Sequence, residues 1–255
     1  MTAQPSVLFV GESWIKHTIH MKGFDHFVSV EYQEGAGYFL KCLREAGMTV
    51  TYIRAHEVSD LFPTTLEELA GFDVLVLSDI GANTFLLTND TFLKSQVRPN
   101  LLRLAARFVR EGGGLVKIGG YMSFTGIDAR ARWGRSPLAD VIPVEMLDVD
   151  DRVELPEGVT PQVVVAGHPA LGDAPDAGWP RLLGYNQTIP KPEATVIAKV
   201  GKDPLIVTGN FGKGRSVAFT SDVAPHWAPS EFMNWQHYPS LWTSMVRWAA
   251  GKNAR

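Results

Sequence analysis

Four short apolar runs recur along the first half of the chain: Ser6 to Val10, Met48 to Ile53, Asp73 to Ser78 and Leu115 to Ile118. The unbroken apolar run of the first predicts a buried strand, and the others read as the second, third and fourth strands. The segments between them carry apolar residues at helical spacing. Gly35 to Ala46 places Tyr38, Phe39, Cys42 and Leu43 on one stripe and stops at Gly47. Asp60 to Gly71 holds a short helix that Thr64 or Thr65 can cap, with Glu67 and Glu68 suiting its first turn. Asn89 or Asp90 opens a longer one reaching Arg110, with Leu101, Leu104, Ala105 and Phe108 inward and a break at Pro99. Strands alternating with amphipathic helices predict a parallel sheet covered on both sides.

The texture changes after Phe124. Ser136-Pro137 reads as a helix start, and the acidic stretch Asp148 to Glu157 as a solvated loop or strand edge. Val163 to Val165, Thr195 to Val200, Leu205 to Thr208 and Ser216 to Thr220 are β-branched runs broken by Gly and Pro, which predict hairpins and an antiparallel extension. Gly209 to Arg215 is glycine-rich, yet it joins two strands and misses the G-x-x-x-x-G-K-[ST] spacing, so it reads as a hairpin turn. Tyr238 to Ala250 forms a final helix around Leu241, Trp242, Met245, Val246 and Trp248. Trp14 to Glu34 is a long segment holding His17, His20 and His26, with room for an extra strand at Phe27 to Tyr32. Residues 1–255 are expected to form a single domain, 1–124 as the βα core and 125–255 as a β-rich extension with the last helix.

Composition narrows the partners. A formal net charge of −3 gives no reason to expect nucleic acid or an anionic membrane. Cys42 is the only cysteine, so no intrachain disulfide forms, and its place on an apolar stripe predicts a buried structural thiol. The first apolar run is too short, and lacks the basic lead-in, for a signal peptide, and no stretch reaches membrane-spanning length; a cytoplasmic location is expected.

In parallel sheets, ligands sit beyond the carboxyl ends of the strands. Those ends here are Gly11-Glu12-Ser13, Asp79 to Asn83 and Tyr121-Met122-Ser123. The last has the layout of a nucleophile elbow, G-x-nucleophile-x-G. Gly119 is its first glycine, Gly120 lets the backbone turn, Tyr121 takes the nucleophile place and Ser123 replaces the second glycine.

Three blocks carry a resemblance: Gly113 to Phe124 (GGLVKIGGYMSF), Pro137 to Val144 (PLADVIPV) and Thr220 to Trp227 (TSDVAPHW). Together they resemble cytoplasmic proteins of the class I glutamine amidotransferase-like superfamily, and the C-terminal block is also similar to domains of trehalose-utilisation-type proteins. The resemblance covers nearly the whole chain. It implies a flavodoxin-like α/β three-layer sandwich, with a mostly parallel sheet and an antiparallel β-rich C-terminal extension. In working relatives the elbow carries a cysteine, activated by a late-strand histidine with a nearby glutamate. By position the elbow residue here is Tyr121 and the histidine is His226; the oxyanion loop falls near Gly81. The H-P-E order is absent, since Trp227 and Ala228 follow His226 and the next acid is Glu231. Without a thiol the family mechanism is not open, because a phenol with a reference pKa near ~10 is a poor nucleophile at neutral pH.

The candidate catalytic residues are therefore Tyr121, His226, Asp222 and Glu231, with either carboxylate able to orient the imidazole. The candidate ligand-binding residues are Glu12, Ser13, Asp79, Gly81, Gly120 and Ser123. No metal or other cofactor is expected; the metal alternative is His17 and His20, which share a face if helical, with Asp25 adding a carboxylate. The expected function is an amidotransferase-like protein without glutaminase activity that binds a small polar ligand. The alternatives are a hydrolase using His226 with a carboxylate, in a metal-assisted version if His17 and His20 bind one, and an oligomeric scaffold. A homo-oligomer is the expected assembly.

Overall fold

The computed structural model describes residues 4–251. The first strand, β1 (Ser6–Gly11), is buried along its length because apolar side chains leave it on both faces. Its polypeptide continues into β2 (Ser13–Lys22) and β3 (Asp25–Glu34), which pair only with each other, and then β4 (Thr49–Ile53), β5 (Val74–Ser78) and β6 (Gly114–Ile118). The second half adds β7 (Val144–Met146), β8 (Arg152–Val159), β9 (Gln162–Val163), β10 (Leu182–Asn186), β11 (Thr188–Pro190), β12 (Thr195–Val200), β13 (Asp203–Phe211) and β14 (Gly214–Phe219).

The main sheet has eight strands in the order β4-β1-β5-β6-β14-β13-β12-β9. The first five are parallel, and β13, β12 and β9 each run antiparallel to the neighbour before them. The parallel strands thus follow the doubly wound order 2-1-3-4-5, whose connection reverses between β1 and β5. Gly11-Glu12 and Ser78-Asp79 sit at that reversal. Two small pairs, β8 with β10 and β7 with β11, extend the antiparallel side.

Each face of the sheet has its own core. One packs the helices Gly37–Glu45 and Tyr238–Ala249 around Phe39, Trp242 and Phe219; the other packs Leu101–Arg110 and several short helices around Phe85, Trp133 and Leu102. The sandwich is therefore three-layered. Pro99 does break the expected long helix, which is two: Asn89–Lys94, and Leu101–Arg110 capped by the Asn100 side chain accepting from Arg103 N at 3.0 Å. Leu102, Ala106 and Val109 are buried there besides Leu101, Ala105 and Phe108. Cys42 is buried, its Sγ donating to the Phe39 carbonyl, and burial raises the thiol to about 12, so it is inert.

Trp14 to Glu34 departs most from expectation. It is a hairpin of two ten-residue strands. On a strand, residues three apart point to opposite faces, so His17 and His20 diverge. The shared-face metal pair needed a helix, and no cluster of three or more metal-ligating side chains occurs among the described residues. Asp148 to Glu157 takes the strand-edge form of the two expected, since β8 begins at Arg152 and pairs only with β10. No helix among the described residues is long and apolar enough to cross a membrane.

Candidate functional site at the strand ends

The turns after β1, β5 and β14 bring Glu12, Asp79 and His226 to one edge of the sheet. All three hold positive φ, at 51°, 37° and 150° respectively. Non-glycine residues rarely take such conformations, and strain of this kind collects at functional sites. Glu12 is locked by backbone bonds on both sides, its N–H donating to the Ser78 carbonyl and its own carbonyl accepting from Gly35 N.

The elbow turns as its glycines require. An alanine Cβ at Gly119 would stand 2.4 Å from the Thr220 carbonyl oxygen, so β6 can pass this close to the chain leaving β14 only without a side chain. Gly120 has φ +131°, and a Cβ there would meet Asp79 Oδ1 at 2.6 Å. Asp79 Oδ1 accepts from Met122 N at 2.6 Å, tying the β5 loop to the elbow. Asn186 and Asp151 hold the other side. Asn186 accepts from Gly120 N (3.0 Å) and donates to the Gly120 carbonyl (3.2 Å) and to Asp151 Oδ1 (2.8 Å). Asp151 accepts in turn from Thr125 N and Gly126 N, both at 2.8 Å.

Tyr121 and His226 face each other, with ring centroids 5.2 Å apart and planes 21° from parallel. Trp227 meets the Tyr121 ring edge-on at 5.5 Å, the Arg152 guanidinium lies 4.9 Å from its centre, and Trp14 reaches the imidazole at 5.7 Å. Trp227 Nε1 donates to Glu154 Oε2 at 2.9 Å. Burial first, then a hydrogen bond to Glu154, pushes the Tyr121 phenol above its ordinary value. It is a neutral hydroxyl at physiological pH, suited to hydrogen bonding and not to attack.

Beneath these rings lie acids. Glu12 and Asp222 are fully buried, and each leaves one oxygen without a hydrogen-bond partner in the protein: Glu12 Oε1 and Asp222 Oδ2. Their other oxygens accept from Ser78 Oγ, and from Val223 N and Ala224 N. Burial raises the Glu12 carboxyl well above the usual range, with the charges of Asp222 and Asp79 adding to it. Burial and then the Asp79 charge do the same to Asp222. Like charges this close in a dry site favour the protonated forms. Asp79 is raised too, by burial, with the Met122 N–H opposing. Asp222 Oδ2 stands 3.8 Å from His226 Nδ1, outside hydrogen-bond reach.

Several predicted positions play supporting parts. Glu231 lies exposed in the first turn of the helix Ser230–Met233, so the acid beside the imidazole is Asp222. Ser13 Oγ accepts from Ala55 N at 2.8 Å, and Gly81 packs under Met122. Ser123 is fully buried, donates to the Ile118 carbonyl and contacts Lys117 Nζ. Lys117 was not singled out in the sequence. It is wholly buried, 4.6 Å from the centre of the Trp133 ring, and burial brings its ammonium down to about 7 against the pull of Asp79, Glu12 and Asp151. One lysine inside an apolar run carries no signal beyond an interrupted pattern. Asn186 and Asp151 were missed for the same reason, since their role exists only in three dimensions.

A doubly wound sheet with a glycine elbow at one strand end, faced by a late-strand histidine, defines a protein of the class I amidotransferase-like architecture. The profile of the family described as "Putative glutamine amidotransferase" matches residues 6–251, and the chain belongs to that family. It is 45% identical to Cytoplasmic Protein STM3548 from Salmonella typhimurium, covering 96% of this chain and 98% of that one with a TM-score of 0.93. It is 48% identical to Cytoplasmic Protein STM1381 from Salmonella typhimurium LT2, over 96% and 99% of the two chains, with a TM-score of 0.92. A thua-like protein from Bacteroides uniformis shares the fold at 13% identity and a TM-score of 0.60, over 99% of this chain and 94% of that one. Among curated proteins none matches.

Proposed function

We propose that this chain is an amidotransferase-like protein of the cytoplasm that does not hydrolyse glutamine and binds a small polar ligand at the strand-end site. The observation that carries the reading is the pairing of a neutral Tyr121 phenol, in the nucleophile place, with two buried carboxyls that each keep an oxygen unpartnered. An unsatisfied buried polar atom costs about 1–3 kcal/mol, so a group that persists this way is suited to an arriving partner. Protonated carboxyls both donate and accept, which fits hydroxyl or amide groups better than a charged ligand. The rings of Tyr121, His226, Trp14 and Trp227 supply flat apolar surface beside them.

A thermal-shift screen of the full chain against small sugars, amides and amino acids tests this. At saturating concentration at least one compound is expected to raise the melting temperature by several degrees, since binding to the native state alone stabilises by about 2.7 kcal/mol at a hundred times Kd. The shift should vanish in His226→Ala. If no compound shifts the wild type, or the shift survives in both His226→Ala and Tyr121→Ala, the ligand reading is wrong.

One observation favours a hydrolytic alternative: the approach of Asp222 to His226, which a 1 Å closure on ligand binding would convert to a hydrogen bond. In that reading the imidazole is the base, taking a proton from a water that attacks the substrate.

A further inference from the structure

The hairpin β2–β3 stands off the domain as a two-stranded ribbon, and nine of the ten residues of β3 are exposed. Its cross-strand register sorts the side chains. One face carries the pairs Ile15·Tyr32, His17·Val30, Ile19·Val28 and Met21·His26. The other carries Trp14·Gln33, Lys16·Glu31, Thr18·Ser29, His20·Phe27 and Lys22·Asp25. The second face is finished: it sets opposite charges directly across from each other and stacks His20 on Phe27 at 4.3 Å. The first face has no Asp, Glu, Lys or Arg in those four rows. Its six large apolar side chains are between 46% and 71% exposed, and Phe24 at the turn is fully exposed.

A ribbon of two strands is at best marginally stable alone in water, and needs something against its apolar face. Six neighbouring large apolar side chains, each about half exposed or more, form the kind of contiguous patch that marks an interaction site, where each partner of a stable interface brings ~800 Å².

We infer that this face is a self-association surface, and that its occupant is the same face of a second copy, packed antiparallel across a two-fold axis. Three features single out a second copy. The four rows from Ile15·Tyr32 to Met21·His26 hold six large apolar side chains with only His17 and His26 between them, so the face complements itself. Of its charges, Lys16, Lys22, Asp25 and Glu31 sit on the far side and balance, and Glu34, on the near face at the root, is paired with Arg54 Nε at 2.8 Å, so two arms meet without repulsion. The arm also has both halves of a tip-to-root fit. A ten-residue strand spans about 33 Å, so antiparallel overlay sets the tip of one arm on the root of the other. At the tip stands Phe24; at the root lies a cavity of about 530 Å³ lined by Ile15, Val30, Tyr32, Glu34, Arg54, His56 and Glu57. The root is firm enough to receive it: Arg54 Nε bonds Glu34 Oε1 at 2.8 Å, and His56 meets Tyr32 edge-on at 5.3 Å.

The inference stands apart from the ligand reading and is tested by mass in solution. Sedimentation equilibrium of the full chain at micromolar concentration should give twice the 28.0 kDa chain mass, or an even multiple of it. Ile19→Glu places like charges near the axis and should weaken association about 100-fold, halving the mass. Thr18→Glu, one residue away on the finished face, should leave the mass unchanged. To separate lost association from an unfolded arm in Ile19→Glu, hydrogen exchange provides a second reading on the wild type. Amides of β2 and β3 should exchange slowly in the assembly and quickly after dilution to monomer. A wild-type monomer at tens of micromolar overturns the inference, as does an assembly that Ile19→Glu leaves intact, or a monomer whose arm instead partitions onto lipid vesicles.

Discussion

Replacing Gly119 by alanine is expected to lower the melting temperature by about 10 °C. The added Cβ would lie 2.4 Å from the Thr220 carbonyl oxygen, 2.6 Å from that of Ser221 and 2.7 Å from the Thr220 carbonyl carbon. All three are backbone atoms, so no side chain can swing away. The strands must part instead, and they are held where Gly119 N donates to both the Phe219 and Ser221 carbonyls, at 2.8 and 2.9 Å. Overpacking of this severity costs roughly 3–4 kcal/mol, and each kcal/mol moves a chain of this size by about 2–4 °C. Gly167→Ala is the comparison. Gly167 has φ +69° with nothing within 4 Å of the added carbon, so it pays only for backbone conformation, about 1 kcal/mol. Calorimetry of the two variants separates contact from dihedral strain; equal losses would mean that the close approach of β6 and the β14 loop is not as described.

The second large effect concerns pH. Unfolded glutamate and aspartate release their protons near pH ~4, whereas burial makes Glu12 and Asp222 keep theirs to higher pH in the folded chain. Between those limits the native state binds more protons than the unfolded one, so stability falls as pH rises. Glu12→Gln keeps the shape, keeps an oxygen for Ser78 Oγ and cannot ionise. It should melt with the wild type near pH 4 and above it at pH 8, by at least the ~2–4 °C that 1 kcal/mol is worth here. Lys117 has the opposite sign. With its ammonium lowered to about 7, it adds stability as pH rises from there toward the ordinary lysine value. Lys117 is present in both proteins, so subtracting one melting curve from the other leaves Glu12 together with its electrostatic coupling to Asp222, Asp79 and Lys117. A wild type that gains on Glu12→Gln as pH rises would show that the carboxylate is charged and favoured.

Most of this frame was legible in the chain, for a physical reason. A strand buried on both faces is mostly apolar, and Val7 to Val10, Val74 to Leu77 and, but for Lys117, Leu115 to Ile118 declare themselves that way. Strand ends in a parallel sheet converge, so Glu12, Asp79 and Tyr121 could be placed together, and the position of His226 after a late strand set it opposite the phenol. The arm was harder. Its alternation Ile15, His17, Ile19, Met21 is a strand period, but the interleaved histidines drew attention to metal chemistry, and the pattern serves a face with no partner inside the chain. The supports of the elbow were not legible at all. Asn186 reaches Gly120 across 66 positions, and a lone asparagine says nothing about a distant glycine.

The stability of the site residues also illuminates their purpose. Strained backbone at Glu12, Asp79 and His226 coincides at the strand-end edge with two buried acids that lack a full set of partners. Such strain is retained where a site must be ready before its ligand arrives. The same edge carries Trp14, so the arm rises directly from it, and the assembly proposed for the arm would hold that side of the site in place.

The central claim is that a neutral phenol has replaced the attacking group, leaving a site for recognition. Ammonia release from glutamine, followed at neutral pH for the wild type and for Tyr121→Phe, measures it most directly. Both proteins should release no more than buffer does. Sustained release by the wild type that Tyr121→Phe abolishes would make the phenol a working nucleophile and contradict the account.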